Sequence, residues 1–170
     1  DSAVTIATDA IDRLHSTASA HQRVMVIEVM GHKAGWIALH SGMAGGGDII
    51  LLPEIPFDIH RIGDAIINRL KKGKPYSIVV VAEGIPTTGG KKAAQYIAEE
   101  IEYETGFETR ETVLGYIQRG GSPTAYDRNL ATRMGGHATE LIAQGMFGRM
   151  VALKGNTCLL YTSDAADDKA

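Results

Sequence analysis

Three short apolar runs limit the folds open to this chain. VMVIEVM (24–30), DIILL (48–52) and SIVVVAE (77–83) are almost unbroken by polar residues. A strand with one wet face would alternate, whereas a strand covered on both faces reads as a continuous apolar run. Helical patterns stand between them. Ala3–Ser19 carries apolar residues at helical spacing. Gly35–Ala44 is a run of small and apolar residues. After Asp58, a natural N-cap, Ile59, Ile62, Ile66 and Leu70 share one face up to Lys72 and Gly73. Lys91–Glu104 predicts a further helix that Gly106 stops, Glu111–Tyr116 an extended segment, Thr124–Gln144 a helix loosened at Gly135-Gly136, and Met150–Leu153 a last strand. Strand and helix alternating at short spacing imply an α/β fold, a parallel sheet flanked by helices.

In open sheets of this kind ligands collect at the carboxyl ends of the strands. That points to Met30–Gly35, Glu83–Gly90 and Gly115–Gly121, which should meet in one crevice. The stretch GYIQRGGSPTAYDR (115–128) looks built to hold an anion, with two arginines beside a Gly-Gly turn. Arg23 precedes the first strand, and Arg110 and Arg119 flank the extended segment. Glu83 ends a buried strand, where a carboxylate can accept hydrogen bonds from sugar hydroxyls, bind a helix N-terminus or pair with a cation. Glu28, inside an apolar run, requires a structural partner.

Several chemistries drop out. With 17 Lys+Arg against 20 Asp+Glu, no basic excess favours nucleic acid, and no polybasic run favours a membrane surface. The apolar run Ile78–Ala82 is far too short to span a bilayer. One cysteine, Cys158, allows no internal disulfide and suits a reducing cytoplasm. The six histidines form no HExxH and no zinc spacing, and there is no GxSxG elbow. GIPTTGGK (84–91) sits between a strand and a helix, as a Walker A loop does, but Gly90 stands where the lysine is needed, and the residue after Lys91 is Lys92 instead of Ser or Thr, so the magnesium hydroxyl is missing. GMAGGGD (42–48) ends a helix instead of opening one, so its glycines read as close packing and a C-cap.

Two long segments, AIDRLHSTASAHQRVMVIEVMGHKAGWIALHSGMAGGGDIILLPE and ETRETVLGYIQRGGSPTAYDRNLATRMG, closely resemble bacterial-type 6-phosphofructokinases, in the branch that holds both ATP- and pyrophosphate-using enzymes. The resemblance runs from Asp1 to about Asn156. It implies transfer of a phosphoryl group to the 1-hydroxyl of fructose 6-phosphate in cytoplasmic glycolysis. It also implies a substrate-binding set of Arg23, Met30, Gly31, His32, Glu83, Arg110, Tyr116 and Arg119. Arg23, Arg110 and Arg119 match phosphate ligands, Met30 and Gly31 the MGR turn, and Glu83 the carboxylate on the sugar hydroxyls. Arg23 and Arg110 would reach a neighbouring subunit's site, so a homotetramer or homodimer with shared active sites is implied, with no nucleic-acid or membrane partner.

The chain departs from the family pattern in places. His32 replaces the arginine of MGR, with Lys33 a candidate substitute cation. Tyr116 replaces a phosphate-binding histidine. Asp48, Lys72 and Lys74 are a remnant of the effector site, where His15, Pro75 and Tyr76 replace basic positions. The GGDGS loop for nucleotide and Mg2+, and the TIDND segment with the catalytic aspartate, precede Asp1 in the family. The expectation is therefore a fragment with no catalytic or metal-binding residue of its own, inactive alone. Residues 1–117 would form the fructose 6-phosphate lobe and 118–156 a partial return to the nucleotide-binding lobe. Residues 157–170, without periodicity, are set apart as a tail foreign to the fold. A pyrophosphate-dependent enzyme and a non-catalytic sugar-phosphate-binding module are the alternatives.

Overall fold

The computed structural model describes residues 1–155 and 157–162. The elements run α1 (Ser2–His21), β1 (Val24–Val29), α2 (Trp36–Ala44), β2 (Ile49–Leu51), α3 (Ile59–Lys71), β3 (Ser77–Ala82), α4 (Ala93–Thr105), β4 (Thr109–Val113), a 3-10 helix (Gly115–Arg119), α5 (Ala125–Ala143), β5 (Arg149–Lys154) and β6 (Thr157–Thr162). Two compact units result, one of Ser2–Gly121, the other of Asp1 with the residues from Ser122 onward.

In the first unit four parallel strands lie in the order β2-β3-β1-β4. Side chains of a strand alternate between the faces of its sheet. Met25, Ile27 and Val29 of β1 join Ile78, Val80 and Ala82 of β3 in one apolar cluster with Ala7, Ile11 and Ala18 of α1 and Ala38 of α2. Val24 and Val26 join Val79 and Val81 in the other, with Ile62 and Ile66 of α3 and Ala94, Ile97 and Ile101 of α4. Both faces are covered, which is why β1 and β3 had to be apolar at every position save Glu28 and Ser77. Gly42 lets α2 approach the sheet, since a Cβ there would lie 2.8 Å from Ile50 Cδ1. That is the close helix–strand packing expected of GMAGGGD.

Helix starts are held by the chain's own acidic side chains. Asp58 Oδ1 accepts from His60 N at 3.0 Å at the start of α3. Glu28 reaches across from β1, where its Oε2 accepts from Ala94 N in the first turn of α4 at 2.8 Å. This is the partner that a buried carboxylate requires, and the helix dipole adds to it. Glu54 Oε1 accepts from Gly35 N, just before α2, at 2.7 Å. Gly106 closes α4 in the left-handed conformation, φ 70°.

The structure corrects two expectations about the second half of the chain. The extended segment lies at Thr109–Val113, two residues earlier at its start than Glu111–Tyr116, because pairing with β1 opens at Val24 opposite Thr109. Gly115, with φ 55°, then turns the backbone into the 3-10 helix, so Tyr116 is not in a strand. Arg110 is inside β4, and Arg119 ends the 3-10 helix.

In the second unit a capping box opens α5. Thr124 N donates to Asp127 Oδ2 at 3.0 Å, and Asp127 N donates to Thr124 Oγ1 at 3.3 Å. The helix runs unbroken through Gly135-Gly136. β5 pairs antiparallel with β6, Lys154 opposite Thr157. A strand therefore stands at Thr157–Thr162, where the sequence reading left an aperiodic tail. The Gly155-Asn156 pair between two apolar runs is a hairpin signal that explains it. Residues 163–170 of that tail lie outside the described residues.

Candidate functional site

The first-unit loops that follow β1, β3 and β4 surround a cleft of ≈ 560 Å³ at the carboxyl ends of the strands. Met30, His32, Lys33, Glu83, Lys92 and Tyr116 line it. The three segments expected to converge do so. The turn after β1 is fixed by its neighbours. Glu83 Oε1 accepts from Gly31 N at 3.1 Å and from His32 N at 2.7 Å. Met30 N donates to Gln118 Oε1 at 3.4 Å. His32 is a non-glycine residue in the left-handed region, φ 53°. Such a residue persists only where its surroundings over-determine it. Gly31 and Gly84 permit close approaches: a Cβ on Gly31 would lie 2.4 Å from Ala34 O, and one on Gly84 2.0 Å from His32 O.

Glu83 takes both backbone bonds on one oxygen. Its Oε2 makes no hydrogen bond among the described residues and remains able to accept from a ligand. Three lysines line the cleft beside the carboxylates of Glu28 and Glu83. Lys33 and Lys92 are exposed, and Lys91 is tied to Glu99 by a short ion pair. That hydrogen bond holds the Lys91 ammonium above the ordinary lysine value and the Glu99 carboxyl below the ordinary carboxylate value. Tyr116 is exposed, and the Arg119 guanidinium sits over its ring at 5.4 Å from the centroid. A cation–π contact of this kind orients a guanidinium without neutralising it.

Arg23 and Arg110 stand elsewhere. Arg23 immediately precedes β1, six residues of strand, roughly 20 Å, from the cleft, and Arg110, the second residue of β4, stands three residues, roughly 10 Å, before Val113 in the cleft lining. One oxygen of Glu108 joins them, Oε1 being 3.4 Å from Arg23 Nη2 and 2.8 Å from Arg110 Nη2. Arg23 Nε is buried and has no partner among the described residues. Asp48 belongs to neither group. Its Oδ1 lies 2.7 Å from Arg69 Nη2, and its Oδ2 accepts from Ile78 N at 2.9 Å. Lys72 caps the end of α3, and Lys74 N donates to Arg69 O at 3.0 Å. His15 Nε2 donates to Gly45 O, 2.7 Å away, and Nδ1 lies 3.2 Å from Tyr76 OH, from which it accepts in the neutral ring.

The family profile described as Phosphofructokinase matches residues 1–142 of the chain. The chain belongs to the phosphofructokinase family. It is 82% identical over 156 residues to ATP-dependent 6-phosphofructokinase 3 of Bacteroides thetaiotaomicron, covering 92% of this chain and 46% of the relative. It is 49% identical over 172 residues to a pyrophosphate–fructose 6-phosphate 1-phosphotransferase of Amycolatopsis mediterranei, covering 91% of this chain and 50% of that protein. The solved phosphofructokinase of Saccharomyces cerevisiae superposes with a TM-score of 0.82 at 31% identity, over 98% of this chain and 23% of that one. The chain spans about half the length of the curated relatives it matches.

Within this phosphofructokinase-family chain, three residues that hold the cleft and the arginine pair escaped the sequence reading. Gln118 sits in a polar IQRGG string beside Ile117, the obvious apolar candidate, yet Gln118 is 2% exposed and Ile117 60%. Gln118 and Leu114, the N-cap of the 3-10 helix, are the buried residues of this turn. Glu54 and Glu108 read as ordinary surface carboxylates and carry no pattern that would single them out. Among the described residues no three His, Cys, Asp or Glu side chains gather to hold a metal ion. No helix among them is long and apolar enough to cross a membrane.

Proposed function

We propose that this chain is the fructose 6-phosphate half of a 6-phosphofructokinase, a phosphotransferase that makes fructose 1,6-bisphosphate in cytoplasmic glycolysis. The observation that carries this reading is the cleft at the ends of β1, β3 and β4, in a chain 82% identical to an ATP-dependent 6-phosphofructokinase. In this reading Arg119 binds the 6-phosphate bidentately, with Tyr116 donating from its hydroxyl. Glu83 Oε2 accepts from sugar hydroxyls, and Met30, Gly31 and His32 shape the wall against the ring. Lys33 supplies positive charge near His32. Residues 1–117 are the sugar-phosphate lobe and 118–156 part of the nucleotide-binding lobe.

The residues present do not fit the phosphoryl donor or its Mg2+. The described residues offer no carboxylate cluster for the metal, and the loop Gly84–Lys91 lacks the lysine and hydroxyl positions of a nucleotide cradle. ATP, or pyrophosphate as in the Amycolatopsis relative, is read as belonging to the part of the relatives' length that this chain does not span. The Arg23–Glu108–Arg110 cluster, toward the amino ends of the strands and outside the cleft lining, supports a site completed between subunits of a homotetramer or homodimer, where Glu108 would yield both guanidinium groups to a phosphate. Asp48, already bonded to Arg69 and β3, speaks against effector control of the usual kind through Asp48, Lys72 and Lys74.

Expression of the full-length gene followed by assay with fructose 6-phosphate and either ATP or pyrophosphate tests the reading. Turnover with one donor is expected. Binding of fructose 6-phosphate without turnover by either would favour the non-catalytic module, and no binding would sink both.

A further inference from the structure

We propose that Gln118 is a positioning residue of the cleft, locking the turn after β1 in register with the 3-10 helix that carries Tyr116 and Arg119. The loop from Met30 to Gly35 is shaped less by its own backbone than by side chains from elsewhere. Met30 N is held by Gln118, Gly31 N and His32 N by Glu83, and Gly35 N by Glu54. These acceptors arrive from the segments that follow β4, β3 and β2. Backbone amides buried in a loop must find partners, so the loop's shape follows from where those partners stand.

Gln118 is the unusual member. It is 2% exposed, and its Nε2 is buried with no partner among the described residues. A leucine would fill that space without burying an orphan donor, and an unsatisfied buried group weakens the fold. Keeping an amide there makes sense where its oxygen is needed, and that oxygen has one partner, Met30 N. The orientation is fixed as well, because flipping the amide would set two donors against each other. Gln118 adjoins Arg119 and stands two residues after Tyr116. Any shift at Met30 is thereby passed to the two side chains read as phosphate ligands. The functional part of this inference rests on the proposed fructose 6-phosphate site; the structural coupling does not.

Two variants separate positioning from simple support. Gln118→Met keeps the volume and removes the acceptor, and Gln118→Glu keeps an acceptor. Amide hydrogen exchange on the whole chain should show Met30 exchanging about 3- to 10-fold faster in Gln118→Met, the loss of one ordinary hydrogen bond. Gly31 and His32 should stay protected through Glu83, and Gln118→Glu should restore Met30. Fructose 6-phosphate titrated into the chain and followed at the amides of Tyr116 and Arg119 should bind about 3- to 10-fold more weakly to Gln118→Met than to the parent. Unchanged Met30 exchange in Gln118→Met overturns the proposal. So does a uniform loss of protection at Met30, Gly31 and His32, which is the signature of general loosening. If the parent chain binds no fructose 6-phosphate while Met30 still responds, the coupling stands and the functional reading of the cleft falls.

Discussion

Glu83 Oε1 and the backbone of His32 meet at 2.7 Å, and the same oxygen also takes the N–H of Gly31. One carboxylate oxygen therefore fixes two consecutive amides, and the other stays open. Glu83→Gln can keep the turn, since the amide oxygen accepts as well, but it offers the cleft a neutral group. Glu83→Ala loses both bonds. Hydrogen bonds to a charged group contribute about 1.5–3 kcal/mol each. Glu83→Ala should lower Tm by roughly 6–12 °C, taking about 3 kcal/mol and about 2–4 °C per kcal/mol in a domain of this size. Glu83→Gln should shift Tm by less than half as much and weaken sugar binding all the same. Equal Tm losses in calorimetry would show that the turn does not depend on Oε1.

Gly84→Ala is expected to be severe for a steric reason, since the added Cβ would lie 2.0 Å from His32 O, a backbone atom of the residue whose N–H Glu83 holds. Overpacking typically costs about 1–3 kcal/mol, and a clash with fixed backbone belongs at or above the top of that range. Gly89→Ala is the control. Its φ of 67° penalises alanine, but nothing lies within 4 Å, so about 1–2 kcal/mol is expected. Urea unfolding of the two variants should separate them by at least about 1 kcal/mol; matching midpoints would refute the steric argument.

Asp48 ties α3 to the sheet by bonding Arg69 and the first amide of β3 after Ser77. Both side chains are largely buried, so removing one leaves the other charge uncompensated. Asp48→Ala should destabilise by about 2–4 kcal/mol, whereas removing Lys72 or Lys74, both exposed, should change stability by less than about 0.5 kcal/mol. Similar losses in all three would mean that the group acts as one electrostatic unit.

His60 carries the pH dependence that is easiest to isolate. Its hydrogen bond to Glu104, Nδ1 to Oε2 at 2.9 Å, raises its pKa above 6.5 in the folded chain, and the Glu104 charge acts in the same direction. A raised folded value means the contribution is complete below pH 6.5 and fades as the pH climbs through the folded value. His60→Gln should therefore lower stability slightly at pH 5 and leave it unchanged at pH 9. The effect is small because the imidazole is fully exposed. An NMR titration of the His60 ring that gives an ordinary midpoint, or a stability loss confined to alkaline pH, would contradict the assignment.

Arg119 and Tyr116 can be told apart in the full-length protein. Arg119→Ala should raise KM for fructose 6-phosphate about 10- to 150-fold, the equivalent of one charge-assisted phosphate bond. Tyr116→Phe retains the ring under the guanidinium and should cost less than Tyr116→Ala. Tyr116→His should make KM pH-dependent near neutrality, which a tyrosine does not. A flat response across these variants would remove the 3-10 helix from phosphate binding.

Much of the fold was legible because burial on two faces writes itself into a strand as an apolar run. β1 and β3 were found to within a residue, and Asp58 and Gly106 marked their helix ends by the chemistry of caps. The 3-10 helix was misread because Gly115 reverses the backbone after only five residues of strand, leaving no period to count. β6 was missed because its pairing is set by a hairpin turn, not by alternation. The cleft's location followed from topology; charge singled out Arg23, Arg110 and Arg119, none of which is in its lining. Gln118 and Glu54 stayed hidden because their partners are backbone amides distant in sequence, which no local pattern records, and Glu108 because its second partner, Arg23, is distant in sequence although Arg110 is two residues away.

The starts of α2, α3, α4 and α5 are each occupied by the chain's own carboxylate, from Glu54, Asp58, Glu28 and Asp127. An incoming phosphate therefore meets few amides ready to receive it and must rely on guanidinium and ammonium groups at the surface of the protein. Contacts of that kind are weakened by mobile counter-ions. The affinity of this cleft for a phosphorylated sugar should thus follow ionic strength closely, loosening in concentrated salt while the turn that shapes the cleft stays in place.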